Sequence, residues 1–149
     1  MRRYDFVLDT SVLARSIHKN HPMQQTAKDA VKLLLSRGET LCVFPQNLYE
    51  FWVVATRPVL QNGFGMTSVD AETQIAEFET LFSLKRDTPA IYDEWRKLVT
   101  QHSVVGKNAH DTRIVAAMKT HGVTHLLTFN TDDFKRYTGI SVISPTQVT

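Results

Sequence analysis

Asp9, Glu50 and Asp111 are the residues of this chain whose types and spacing could do chemistry. Each stands at or near the start of an expected helix. Asp9 closes the apolar run Phe6-Val7-Leu8 and is followed by Thr10 and Ser11, good helix-start residues, then by Val12 and Leu13. Glu50 lies five residues past Pro45, in the first turns of a helix over 46–56. Asp111 lies in the first turn of a helix over 108–121 and shares a face with Ile114, Val115 and Met118. An ionised carboxylate among apolar neighbours is costly unless something compensates it. Carboxylates that converge to ~5 Å repel by roughly 3 kcal/mol per pair at an effective dielectric of 20. A hard divalent cation relieves that repulsion. Oxygen donors with no Cys or His pair nearby suit Mg²⁺ or Mn²⁺ better than zinc. The local alternative is capping. Asn47-x-x-Glu50 and Asn108-x-x-Asp111 are capping-box variants, Asp9 or Thr10 can cap the helix that follows, and the helix dipole favours acids in first turns.

The elements that must position these acids are legible in outline. Short apolar strands are expected at 6–8, 41–44, 123–129 and 140–143, with a weaker edge strand in 83–87. Amphipathic helices are expected after Asp9, over 28–37 with a polar approach from His21 and Gly38 as the stop, and over 46–56, ended by Arg57-Pro58. Two more begin at Ser68, read as the cap, and at Thr88-Pro89; the clearest runs from Asn108 to Gly122. Trp52 and Trp95 fall on packing faces. The stretch 59–67, with Asn62-Gly63 and Gly65, is the longest loop. It is expected to be mobile, with Phe64 and Met66 facing a partner such as a second copy of the chain. Strands alternating with helices define a three-layer α/β/α sandwich around a central parallel sheet, whose sites lie at the carboxyl edge of the strands. All three acids enter apolar contexts on that side, which capping alone leaves unexplained.

A length of 149 residues suits a single domain over 1–149, and 42% hydrophobic with 21% charged residues is an ordinary globular balance. A net charge of +2 permits a nucleic-acid partner without demanding one. One cysteine, Cys42, excludes an internal disulfide. Too few apolar residues follow Met1-Arg2-Arg3 for a leader or a membrane span, so a soluble cytoplasmic protein with no membrane partner is expected.

Four segments, in this order and spacing, resemble the PIN domain. They are Phe6-Val7-Leu8-Asp9-Thr10-Ser11-Val12-Leu13, Asn47-Leu48-Tyr49-Glu50-Phe51, His110-Asp111-Thr112-Arg113-Ile114-Val115-Ala116-Ala117 and Leu126-Leu127-Thr128-Phe129-Asn130-Thr131-Asp132-Asp133-Phe134. The resemblance spans nearly the whole chain. Proteins similar to it include the VapC toxins of toxin–antitoxin pairs, which are Mg²⁺- or Mn²⁺-dependent ribonucleases. The resemblance implies a sheet order of 3-2-1-4-5, a metal held by Asp9 and Asp111 with Glu50 completing the site, RNA as substrate and an antitoxin protein as partner. It implies catalysis by Asp9, Glu50 and Asp111, with Glu50 holding the ion through water or orienting the attacking water.

The chain departs from the pattern at one place. The family often carries a fourth acid two residues after the threonine of the Leu-Leu-Thr segment, and Asn130 stands there. Asp133, three residues on, compensates or caps the short helix at Phe134. Thr10, Ser11 and Thr128 are candidate supports for the acids. Lys107 and Arg113 are candidate phosphate contacts, and Arg113 could instead brace the acids. His110 is the histidine beside the site. Three rival readings stand beside a toxin nuclease: a solo PIN nuclease in RNA processing, a PIN-like module that binds RNA or protein without cleaving, and a haloacid-dehalogenase-type phosphatase. The phosphatase requires an Asp where Ser11 stands.

Overall fold

A computed structural model describes residues 3–149. The first apolar run forms β1 (Asp5–Leu8) and passes straight into α1 (Thr10–Ile17), which is followed by α2 (Gln24–Ser36). β2 (Thr40–Val43) leads into α3 (Pro45–Thr56), with Pro45 in the first turn, where a missing N–H costs nothing. Then come α4 (Ser68–Leu81), β3 (Ser83–Leu84), α5 (Pro89–Gln101), α6 (Asn108–His121), β4 (His125–Leu127) and β5 (Ser141–Ile143). The five strands are all parallel in the order β3-β2-β1-β4-β5, which is the order implied by the resemblance.

Alternation along the strands separates two cores. Phe6, Leu8, Leu41, Val43 and Leu127 point to the face covered by α1 to α4. Val7, Cys42 and Leu126 point to the other face, under Ile91 and Leu98 of α5 and Ile114, Val115 and Met118 of α6. Both faces are thus buried, and the strands read as continuous apolar runs for that reason. Cys42 is fully buried; burial, then the charge of Asp5, pushes its thiol pKa up to about 12.

Several local details differ from the sequence reading. The cap of α4 is Thr67, whose Oγ1 accepts from Asp70 N at 3.1 Å, and Ser68 is already helical. Neither expected capping box forms. Asn47 is fully buried in the first turn of α3, and its Oδ1 accepts from Phe44 N at 2.9 Å. Asn108 is the first residue of α6, behind Lys107, and no side chain caps that end. Glu50 and Asp111 therefore have no capping work to do.

The 59–67 loop is tied down. Phe64 N donates to Val54 O, Gly65 N to Arg57 O and Met66 N to Ala55 O, so this backbone runs back along the end of α3. Phe64 and Met66 pack against the core. The apolar side chains the loop leaves in solvent are Val59 and Leu60. Sequence reasoning saw the glycines as slack, whereas Gly63 is there for close approach: a Cβ on it would meet the Arg57 carbonyl oxygen at 1.9 Å.

Candidate active site

At the carboxyl edge of β1 the chain makes Asp9 the backbone cap of α1, its carbonyl accepting from Val12 N and Leu13 N. Its side chain makes no cap bond and turns to the neighbouring strand end. Asp9 Oδ2 accepts from Thr128 Oγ1 at 2.7 Å and from Ser11 Oγ at 3.1 Å. Each hydroxyl, having given its one proton, accepts a backbone amide: Thr128 Oγ1 from Asn130 N, Ser11 Oγ from Phe129 N. Burial raises the Asp9 pKa above the carboxylate range, opposed by the Thr128 and Ser11 hydroxyls and the Thr10 and Ser11 amides.

α3 brings Glu50 to the same place. Thr10 Oγ1 donates to Glu50 Oε1 at 3.1 Å. Burial raises the Glu50 pKa and the charge of Asp9 adds to it; Thr10, Gln46 and His110 oppose. The first turn of α6 brings Asp111, half-buried. Burial, then the charges of Asp9, Asp133 and Glu50, push its pKa to about 6, with His110 opposing. No donor among the described residues reaches the Asp111 carboxylate, whereas Asp9 has two hydroxyls.

Asp9, Glu50, Asp111 and Asn130 line one open cleft of about 690 Å³, with Thr10 and Ser11 between them. The ion pairs of the described residues, Lys97–Glu94, Arg113–Asp87 and Lys135–Asp132, leave all of these acids unpaired. The donors are oxygens, the kind a hard cation takes. Among the described residues no group of three or more His, Cys, Asp and Glu side chains could hold a metal ion as placed. The donor set fits a hard cation in kind.

The other expected residues divide. Thr10 donates to Glu50, and Ser11 and Thr128 donate to Asp9. Asp133 does not cap: it is exposed within the short 3₁₀ turn Thr131–Phe134 and acts on Asp111 through its charge. Arg113 is not a cleft cation. Its Nη2 pairs with Asp87 Oδ2 at 3.1 Å and its Nη1 donates to Gln46 Oε1 at 3.1 Å, which ties it to the acids only through Gln46. Lys107 is exposed ahead of α6 and does not line the cleft. Trp95 packs, donating Nε1 to Ala109 O. Two residues escaped the sequence reading. Gln46 links Arg113 to the His110 carbonyl, 2.8 Å from its Nε2, and reaches Glu50. Arg57, read only as the residue before a proline, lines the cleft. Nothing in the spacing of either signals this, because both act through tertiary contacts.

An all-parallel α/β domain with an uncompensated acidic cleft at its carboxyl edge is the class of protein the geometry defines. The chain belongs to the PIN domain family, whose model matches residues 6–140. No curated protein matches it. Among solved structures it is similar to VapBC from Salmonella typhimurium in a DNA-bound crystal, at a TM-score of 0.69 and 16% identity, covering 95% of this chain and 98% of that one. It is also similar to VapBC2 from Rickettsia felis bound to a promoter DNA fragment, at 0.68 and 14%, covering 94% and 98%. VapC20 of Mycobacterium tuberculosis, a toxin that cleaves the sarcin–ricin loop, aligns at 0.65 and 18%, covering 86% and 92%. These likenesses carry the fold. No helix among the described residues is long and apolar enough to cross a membrane.

Proposed function

We propose that the chain is a metal-dependent endoribonuclease acting on single-stranded or structured RNA, and the toxin of a toxin–antitoxin pair. The observation that carries this reading is the set of three carboxylates, Asp9, Glu50 and Asp111, lining one cleft with no cation paired to any of them among the described residues. Membership of the PIN family and the VapBC-like fold support it. Asp9 and Asp111 would hold Mg²⁺ or Mn²⁺ with Glu50. The ion would supply positive charge beside a phosphate oxygen and acidify a water.

The chain's own residues do the rest. Thr128 and Ser11 fix the Asp9 carboxylate in one orientation. Thr10 does the same for Glu50, whose raised pKa suits a group that takes a proton from an attacking water. Asn130 presents a neutral side chain where a fourth charge would stand, so the site carries less negative charge than a four-acid site. The charge of Asp9 acts on Asp111 unopposed by any paired cation, and a bound cation would offset it.

Two observations favour a second reading, a module that binds without cleaving: Asn130 at the fourth position, and no group of three or more acids, as placed among the described residues, that could hold an ion. A cleavage assay on several single-stranded RNAs with Mg²⁺ or Mn²⁺, using partner-free protein and an Asp9→Asn control, separates the two. Cleavage lost in Asp9→Asn supports the nuclease. No cleavage with either ion, together with RNA binding, assigns the binding module.

A further inference from the structure

Besides the acids, the wall of the cleft carries two arginines and two rings, Arg15, Arg57, His18 and Phe64. Arg15 lies one turn beyond Ser11 on α1, and its Nη1 is 3.0 Å from His18 Nδ1. A guanidinium can only donate, so His18 accepts at Nδ1 and carries its proton on Nε2. The His18 ring lies 4.6 Å, centroid to centroid, from the Phe64 ring. Phe64 is held by its own amide, which donates to Val54 O, and the adjoining Gly63 and Gly65 amides donate to Pro58 O and Arg57 O. Arg57 Nη2 donates to Asn62 O at 3.1 Å. Its Nε is sealed from solvent and has no acceptor. An unmet donor of that kind is costly. Among the described residues no carboxylate lies within ion-pair distance of Arg15 or Arg57, although both share a cleft with Asp9, Glu50 and Asp111. The cleft thus combines acids with cations that have no carboxylate partner among the described residues and with aromatic rings.

We propose that this wall seats the nucleotide adjoining the scissile phosphate of a single-stranded RNA. Arg15 and Arg57 take its phosphate, and the His18–Phe64 pair takes its base. The proposal rests on the nuclease reading above for which phosphate is scissile, and on this wall for everything else. Cations beside rings suit an unpaired nucleotide, whose base face is free to stack; a base inside a duplex offers no such face. The loop that carries Phe64 is fixed by backbone bonds, so the platform exists before the strand arrives.

The test is anisotropy of a labelled, mixed-sequence single-stranded RNA in EDTA, across a salt series. Arg15→Gln and Arg57→Gln should each weaken binding by about tenfold and flatten the log–log salt slope by about 0.7, the value for one phosphate contact on a single strand. Phe64→Leu, which keeps an apolar side chain against the core, should weaken binding by about tenfold and leave the slope unchanged. With the parent protein, an RNA carrying abasic sites should lose a similar factor, and Phe64→Leu should lose nothing further with that RNA. The comparison of abasic with intact RNA on the parent needs no altered protein and stands even if a variant folds poorly. The proposal is overturned if the parent does not bind, if abasic RNA binds the parent as well as intact RNA, or if both arginine variants keep the parent's affinity and slope. It is also overturned if duplex RNA of the same sequence binds as tightly, or if an acidic peptide occupies Arg15 and Arg57 where RNA does not. A parent that binds in this manner yet cleaves nothing with Mg²⁺ or Mn²⁺ sinks the nuclease reading and leaves the wall in place.

Discussion

Asp9 and Asp111 face one cleft from the starts of two helices, yet they are held by opposite means. Asp9 is buried, gripped by two hydroxyls that are themselves fixed by backbone amides. Asp111 is half-buried and without a donor among the described residues, and its neighbours' charges act on it directly. The first is an anchor bought with hydrogen bonds. The second is a group whose position and protonation answer to whatever else enters the cleft. A site that must bind and release a cation gains from having one of each.

The largest expected effect treats the two as equals. If both hold the ion, Asp9→Asn and Asp111→Asn should each lower Mg²⁺-dependent RNA cleavage by on the order of 10³-fold or more, the scale of the several kcal/mol a metal supplies. Cleavage retained in Asp111→Asn alone would reduce that residue to a helix-start acid. The next effect tests the anchor. Thr128→Val removes the 2.7 Å hydrogen bond to Asp9, and activity at limiting Mg²⁺ should fall by roughly 10–100-fold, recovering in part as Mg²⁺ is raised. A loss that no amount of Mg²⁺ reverses would mean that Thr128 does more than orient Asp9.

Stability then tells the two acids apart. The folded-state pKa of Asp111, about 6, lies above its ordinary 3.8, so between those values the folded chain holds a proton that the unfolded chain has released. The stability this group contributes is full below the lower value and is lost as pH rises through about 6. Discounted for solvent screening, the ionised group costs the metal-free protein roughly 1–2 kcal/mol at neutral pH. Asp111→Asn should therefore melt at or above the parent without metal at about pH 7.5. It should also flatten the parent's gain on acidification toward pH 5, and respond less to Mg²⁺, which stabilises only the state that binds it. A variant that melts lower and responds to Mg²⁺ like the parent removes Asp111 from the site. The smallest effect is at Arg113, whose pairing with Asp87 is partly exposed. Arg113→Ala should cost less than about 1 kcal/mol and leave the salt dependence of RNA binding unchanged. A flattened salt slope would restore it as a phosphate contact.

What the sequence shows and what it hides divide along the same line. The strand-then-acid run at Asp9 is legible because burial on both faces forces a continuous apolar strand, and a lone carboxylate at its end stands out. Sheet order and the approach of Glu50 and Asp111 follow from alternating strands and helices together with the family resemblance. Hydroxyl support by Thr10, Ser11 and Thr128 could be guessed from adjacency. The caps could not: Thr67 and Ser68 are equally good capping residues, and the choice is made by where the preceding backbone turns. Gln46, Arg57 and the bound-down 59–67 loop were hidden for a different reason. Their roles depend on residues far away in the fold or on a backbone path, and no local pattern encodes either. The sequence left Arg113 open between a phosphate contact and a brace for the acids, because helix periodicity gives a face and not the neighbours, Asp87 and Gln46, that it meets.

Cys42 has a consequence for anyone who wishes to handle the molecule. It is the chain's one sulfhydryl, it lies in β2 with no exposure, and its pKa of about 12 keeps it protonated at neutral pH. Reagents that attack thiolates will pass it by. The chain is therefore already a blank for site-directed labelling. A single Leu60→Cys substitution, at a side chain 99% exposed on the loop beside the cleft, will take one dye or one spin label in the folded protein without Cys42 having to be removed.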